Sequence, residues 1–583
     1  MSPNRAEGDP TRWRFASLVL VGILASFLAL AGRLIYINTS LRPRLLKTAE
    51  TQQSGSSVLP ARRGMILDAR GRVLAVSRQM PDVYVDPQRV DDPERLAHEL
   101  SARLNLSPAH TLDRIRRKSG SRFVVVASRV EEAEAAAIRE LKTPAIGTAE
   151  RELRNYPLST SAAHVLGFVG NDGKGLEGVE RSYDRHLRGK DGRRAMVMDA
   201  RRRPLWHDGE YSILPEDGGH LVLTLDAEVQ RIVEDVLDDT IKEFEARSGI
   251  AIVMAVESAD VLAMACRPSF DPNLPASVPG ELRRNRALTD PTEPGSTFKP
   301  FIAGGALEGG HISLTEMFDC GRGEHYFGSR RVSDTSPHGF MDLAGILTVS
   351  SNVGMALIGQ RMGNQALYET VRRFGFGEPT GIDCPGEGSG KVRPLNRWST
   401  SSVYSAVSVA MGYEISVTPI QLVTAFCALA NDGVWRTPRV VKQMLGPDGS
   451  MIRSFDHSGS GRRVVTPETA RLIAREMLAS VVEQGTGRRA QLERYRVIGK
   501  TGTPKLLAPG SRHYEPGAYQ PTFVGAAPAS DPQIAVVVVI HRPKPTRGYY
   551  GGVVAAPAAA KILDWTLDYY GIPCDRATML TGL

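Results

Sequence analysis

The six residues Pro294-Gly295-Ser296-Thr297-Phe298-Lys299 set a serine hydroxyl and a lysine amine three positions apart at the expected start of a helix. A spacing of three puts both side chains on one helical face. A serine is a weak nucleophile until a base takes its proton. A lysine becomes that base when burial or a nearby cation favours its neutral form. The first turn also offers backbone N–H groups to a developing oxyanion. Taken alone, the same letters describe a Gly-Ser cap followed by a solvated lysine, so the meaning of the segment depends on its surroundings.

Two further motifs lie downstream. Ser350-Ser351-Asn352 supplies a hydroxyl able to pass a proton between the lysine and a leaving amine, and an amide able to bind a substrate amide; alone it reads as a helix cap. Lys500-Thr501-Gly502-Thr503 follows the strand-like Tyr495 to Ile498, and a cation with two hydroxyls on a strand edge suits a peptide carboxylate. Gly502 would let a substrate backbone approach closely; the plain alternative is a polar strand end leading to Pro504.

The flanking sequence defines the fold that carries these motifs. Leu221 to Leu225 is strand-like, Asp226 is a helix N-cap, and Val229, Ile232, Val233, Val236, Leu237, Ile241 and Phe244 follow at helical spacing. Ile250 to Val256 and Val261 to Cys266 form a hairpin around a polar turn, as do Thr522 to Ala527 and Ile534 to Ile540. Ala556 to Tyr570 reads as a closing helix, and residues 297 to 480 as a long helical insert. The expectation is an α+β domain around a mainly antiparallel sheet with flanking helices.

In this order within one domain, S-x-x-K, S-x-N and K-T-G are the set of the penicillin-binding and serine β-lactamase superfamily. The chain resembles the class B penicillin-binding proteins over nearly its whole length. Arg63-Gly64-Met65-Ile66-Leu67-Asp68 with Gly71 and Leu74-Ala75 resembles the entry of their elongated pedestal domain. Ala163 to Gly170 and Gly175 to Glu180 resemble its end. Pro268 to Asn273, Met411-Gly412-Tyr413 with Val417-Thr418-Pro419, and Tyr549 to Gly552 with Ala555-Ala556-Pro557 resemble transpeptidase landmarks. Within the class, the short pedestal and the wording of Arg63 to Ser77 are most similar to the division-specific, FtsI-type enzymes. Pro504 and Glu414 depart from the family pattern, standing where a small residue and a glycine are usual.

The resemblance implies a D,D-transpeptidase that crosslinks peptidoglycan stem peptides ending in D-Ala-D-Ala, in septal wall synthesis, and that β-lactams acylate. It implies Ser296 as nucleophile, Lys299 as general base, and Ser350, Asn352 and Lys500 as further catalytic groups. Thr501, Gly502 and Thr503 would bind substrate, with the backbone N–H groups of Ser296 and Thr503 as oxyanion hole. No metal or cofactor is expected. A multi-spanning FtsW-type glycosyltransferase and other division proteins are the implied partners. Alternatives are an elongation-specific or spore-type enzyme, a D,D-carboxypeptidase or β-lactamase, and a catalytically silent scaffold of the division machinery.

Phe15 to Gly32 is an uncharged run of 18 residues, extended through Ile37 across Arg33. That length spans a hydrocarbon core of about 30 Å. Arg5, Arg12 and Arg14 precede it, which by the positive-inside rule puts the N-terminus in the cytoplasm. The expected organisation is a cytoplasmic tail (1–14), a single transmembrane anchor (15–37), a stalk and pedestal (38–215) and the transpeptidase domain (216–583). The alternative for the apolar run, a cleaved signal peptide, fits its length less well. The net charge of +8 lacks the concentrated basic face of a nucleic-acid binder, so none is expected. The five cysteines form no close-spaced pair; Cys266, Cys427 and Cys574 read as core or half-buried, while Cys320 and Cys384 lie in loop-like sequence and can pair only if the fold brings them together.

Overall fold

The computed structural model describes residues 10–198, 204–399, 404–455, 461–508, 510–511 and 513–576, in two compact units: Met1–Ala61 with Lys190–Glu216, and Arg62–Gly189 with Asp217–Leu583. In the first unit the apolar run forms helix α1 (Pro10–Tyr36), long and apolar enough to cross a membrane. Helix continues over Arg42–Gln53, where the sequence suggested only a polar stalk. A three-stranded antiparallel sheet pairs Ser54–Leu59 with Gly192–Met198, and that strand with Pro204–Ile213.

The second unit holds the expected α+β architecture. Five antiparallel strands, β1 (Ser248–Ala255), β2 (Val261–Arg267), β3 (Ile498–Gly502), β4 (Thr522–Ala527) and β5 (Ile534–His541), lie in the order β2-β1-β5-β4-β3. Their apolar runs are continuous because both faces are covered, and alternate residues serve alternate cores. Ala251, Val253, Val536 and Val538 pack with Val229, Val233 and Leu237 of helix α2 (Ala227–Glu243) and with Ile562 and Leu563 of the closing helix α6 (Gly551–Tyr569). Ile252, Met254, Val537 and Val539 face the opposite core with Phe298, Phe301, Leu347 and Phe426. Asp226 caps α2 by accepting from Glu228 N, as read from the sequence. The closing helix begins at Gly551, earlier than Ala556, because Pro557 within it does not break it.

Helices α3 (Lys299–Glu308), α4 (Leu343–Val349) and α5 (Asn352–Arg373) belong to the insert. The insert is not helical throughout. Short hairpins such as Glu324–Phe327 with Arg330–Ser333 interrupt it, and Val441–Leu445 leaves it to pair with His220–Leu223. His220–Leu223 in turn pairs in parallel with Ile66–Leu67, so a seven-stranded sheet draws strands from distant parts of the chain. Its longest member, Val73–Val85, pairs antiparallel with Ile146–Asn155 from Val76↔Asn155 to Val85↔Ile146. Charged and polar residues at exposed positions of both strands hide their length from a hydropathy reading. Val83 and Val85 anchor a core with Leu96, Leu100, Ile115 and Ile138 of the flanking helices. The segments 163–170 and 175–180 meet closely: a Cβ on Gly178, at φ +58°, would lie 2.4 Å from Val165 O.

All five cysteines are unpaired; Cys320 and Cys384 are buried separately. Cys574 is exposed, not buried as its apolar neighbours suggested, since it lies past the end of α6.

Candidate active site

Ser296 sits in a single tight turn, Gly295–Phe298, that runs directly into α3. Thr297 Oγ1 closes the turn by donating to Pro294 O at 2.7 Å, and Gly295 N donates to Gly412 O at 3.1 Å. Ser296 faces a cavity of about 530 Å³ also lined by Ser350, Asn352, Thr501, Thr503 and Tyr413. The three motifs, scattered over more than 200 residues of sequence, therefore converge on one cleft.

Lys299 lies fully buried beneath it. Its Nζ donates to Ser350 O at 2.6 Å, Asn352 Oδ1 at 2.8 Å and Ser351 O at 3.1 Å, and approaches Ser350 Oγ at 3.3 Å. Among the described residues Ser296 Oγ has no hydrogen bond. The spacing of three brings the lysine to the right turn, and the acceptors around Ser350 and Asn352 hold its amine there. Asn352 thus orients the lysine through its carbonyl, while its Nδ2 donates to Ser333 O at 3.0 Å.

Lys500 is the second buried cation. It lies on β3, the edge strand, with Lys500 opposite Val524. Its Nζ donates to Ser350 Oγ at 2.8 Å, so that one hydroxyl lies between both amines. Ser350 holds this position in a left-handed conformation, φ +61°, at the end of α4. Burial pulls the Lys299 pKa down to about 7, with Asp334 opposing the fall. Lys500 is lowered well below its ordinary value, by burial first and then by Lys299 beside it. A neutral amine at ordinary pH follows from that pair of cations out of water.

Thr501 Oγ1 shares a hydrogen bond of 2.7 Å with Thr486 Oγ1, and Thr503 Oγ1 accepts from Gly551 N at 2.9 Å, at the start of α6. Gly502 has a tighter reason for being glycine than substrate approach. A Cβ there would lie 2.9 Å from Thr297 Cγ2 and 3.1 Å from Pro294 O, forcing the Gly295–Phe298 turn off the strand.

Sequence reasoning missed Asp334. Its carboxylate accepts from Ser351 Oγ at 2.6 Å, Asn352 N at 2.5 Å and Val353 N at 3.1 Å, fixing the N-terminus of α5 and the motif on it. It lies in a stretch read only as insert, and no local signal marked it. Glu293 was also missed: it accepts from Tyr514 Oη at 2.8 Å and Glu414 N at 3.0 Å, and burial raises its pKa. The departure at Glu414 is absorbed locally. The residue takes φ +63°, where glycine is favoured, and its carboxylate pairs with Arg393 and accepts from Ser405 Oγ at 3.0 Å. Pro504 lies beside Gly295, its Cβ 3.5 Å from where a Cβ on that glycine would be. No group of three or more metal-ligating side chains is gathered among the described residues.

The chain is similar to known proteins over most of its length. Residues 249–564 match the family described as penicillin binding protein transpeptidase domain, and residues 58–223 the penicillin-binding protein dimerisation domain. Stage V sporulation protein D of Bacillus subtilis is 33% identical over 97% of this chain and 87% of its own length. Peptidoglycan D,D-transpeptidase FtsI of Escherichia coli is 32% identical over 97% of this chain and 93% of its own. Among solved structures, a peptidoglycan synthetase from Bifidobacterium adolescentis superimposes with a TM-score of 0.72 at 25% identity, covering 90% of this chain and 98% of that one. Penicillin binding protein 3 of Mycobacterium tuberculosis, complexed with aztreonam, gives 0.69 at 29% identity, covering 89% and 98%.

Proposed function

We propose, from the premise that this chain belongs to the class B penicillin-binding proteins and is a peptidoglycan D,D-transpeptidase, that Ser296 is its acylated nucleophile and Lys299 the base that activates it. The observation that carries this reading is the fully buried Lys299, held at about pKa 7 one turn from Ser296. The neutral amine takes the Ser296 proton as Oγ attacks the carbonyl of the penultimate D-Ala. The backbone N–H groups of Ser296 and Thr503 hold the oxyanion. The C–N bond to the terminal D-Ala then breaks, and the proton passes from Lys299 through Ser350 Oγ to the leaving amine. Ser350 lies 3.3 Å from one lysine amine and 2.8 Å from the other, a position suited to that relay. In the second half an acceptor amine from a neighbouring stem attacks the ester. A new C–N bond forms, the C–O bond breaks, and the amine proton returns to Ser296. Lys500, Thr501, Gly502 and Thr503 receive the substrate carboxylate, and Asn352 orients Lys299 and the substrate amide.

We place this chemistry in septal wall synthesis outside the cytoplasmic membrane, with α1 as the single span, residues 38–215 as stalk and pedestal and 216–583 as the transpeptidase region. The similarity to FtsI and the arginines before the apolar run, Arg5, Arg12 and Arg14, support that placement. An FtsW-type glycosyltransferase is the partner this role calls for. A spore-type role is the second reading, favoured by the 33% identity to the sporulation protein.

The test uses the full-length protein in detergent with a fluorescent penicillin. Stable labelling of the wild type, absent from Ser296→Ala, is the expected outcome. A folded wild type that remains unlabelled, or a labelled Ser296→Ala, refutes the assignment.

A further inference from the structure

A second cavity, of about 440 Å³, opens away from the cleft where the strands Val73–Val85 and Ile146–Asn155 meet the loop 272–283. Tyr156 and Asn273 tie that seam together, Tyr156 N donating to Asn273 Oδ1 at 2.9 Å and Asn273 Nδ2 to Tyr156 O at 3.0 Å. Five arginines line the cavity, Arg63, Arg129, Arg151, Arg154 and Arg283, against one lining carboxylate, Glu152.

Only part of this charge is neutralised within the protein. Arg63 is fully engaged by Glu180, Asp184 and two carbonyls. Arg151 has one ion pair, to Asp82 at 3.3 Å, and remains 44% exposed. The exposed Arg129 side chain has no ion pair among the described residues. Arg154, 5% exposed, pairs with Glu180 through Nε at 2.7 Å and donates from Nη1 to Gly64 O at 2.7 Å, but its Nη2 is buried without an acceptor among the described residues. Phe168, Leu153 and Leu176 supply an apolar wall beside these guanidinium groups.

We propose that this cavity is a second binding site, for a short peptide bearing a free carboxylate. Guanidinium forks match carboxylates in two-pronged geometry. The volume accommodates a ligand of a few residues. A bare phosphate would leave the apolar wall unused and meet Glu152 unfavourably, whereas a peptide places a side chain on the wall and an amine near Glu152. The class includes the stem peptides that the enzyme consumes and releases, and equally an acidic protein segment.

The experiment first blocks the catalytic cleft of the full-length protein with penicillin, so that any peptide bound lies elsewhere. A synthetic pentapeptide ending in D-Ala-D-Ala and its all-L counterpart of equal charge are then titrated by calorimetry. Saturable binding is expected, weakened about tenfold or more by amidating the peptide C-terminus and by Arg129→Ala with Arg151→Ala, since each charged hydrogen bond lost is substantial. Both positions are at the surface, and a thermal melt verifies that the variant folds. Preference for the D-peptide identifies stem peptides as the source, and equal or better binding of the L-peptide identifies a protein segment. Absence of binding to the blocked wild type, or binding indifferent to amidation and to both substitutions, overturns the proposal. A protein that penicillin fails to label refutes the Ser296 assignment separately, and the same arginine variants then decide the second site on the unblocked protein.

Discussion

In the pedestal, Arg63 and Arg154 clasp one carboxylate, Glu180, from both sides at 2.7 Å, and Asp184 completes the cluster. In the cleft, Lys299 and Lys500 converge on Ser350 Oγ, and among the described residues no carboxylate is in ion-pair contact with either. Both places bury two cations, and the consequences run in opposite directions. Burial alone would lower the Arg63 pKa, but Glu180 and Asp184 more than offset it, so the charge is locked on. Burial lowers both lysines because only neutral acceptors and the more distant Asp334 answer it, so the charge is easily lost. A fixed ion cluster holds segments together; an uncompensated amine is a base.

The largest expected break in this contrast is chemical. Lys299→Met removes the proposed base and should slow acylation by penicillin by a factor of about 10²–10⁴, measured as the second-order rate constant with a fluorescent β-lactam. An acylation rate within threefold of wild type would show that another group takes the serine proton.

Glu180→Gln attacks the opposite cluster. It leaves two buried guanidinium groups facing a neutral amide, and should destabilise the fold by about 3–5 kcal/mol in a denaturant titration. Acylation of the folded fraction should be unchanged. A slower acylation at constant fold would mean that the pedestal cluster and the cleft are coupled.

The smallest effect is graded with pH. The proposed mechanism uses the neutral Lys299 amine, so acylation should fall about tenfold per pH unit below pH 7 and level off above it. Stability carries the same asymmetry. The unfolded lysine titrates near pH ~10.4 and the folded one at about 7, so the unfolded chain binds more protons between those values. Stability contributed by Lys299 therefore rises with pH across that window, is lost as pH falls back toward 7, and is flat below it. Thermal melts across the window should show a shallower slope in Lys299→Met than in wild type; identical slopes would place the Lys299 pKa in its ordinary range.

Much of the cleft was legible because its chemistry is carried by short, ordered motifs. Ser296, Ser350, Asn352, Thr501 and Thr503 all line it. The hairpins of the five-stranded sheet were legible for a different reason: continuous apolar runs bounded by polar turns have few other uses. The strand Val73–Val85 was not, since its middle residues are half-buried or exposed and break the alternation. Asp334 was invisible because its role depends on a backbone N-terminus 18 residues away that only folding brings to it.

By itself the sequence determined which groups are present and in what order: a serine and a lysine one turn apart, a second serine, a second lysine on a strand, an apolar helix and an α+β frame. The tertiary structure decided their state. It buried both lysines without an ion-paired carboxylate among the described residues, held the Lys299 amine on the carbonyls around Ser350, and fixed Gly502 by contact with Thr297. Composition lists charges, whereas a pKa depends on how much water and which neighbours each charge keeps, and only the packed chain sets those.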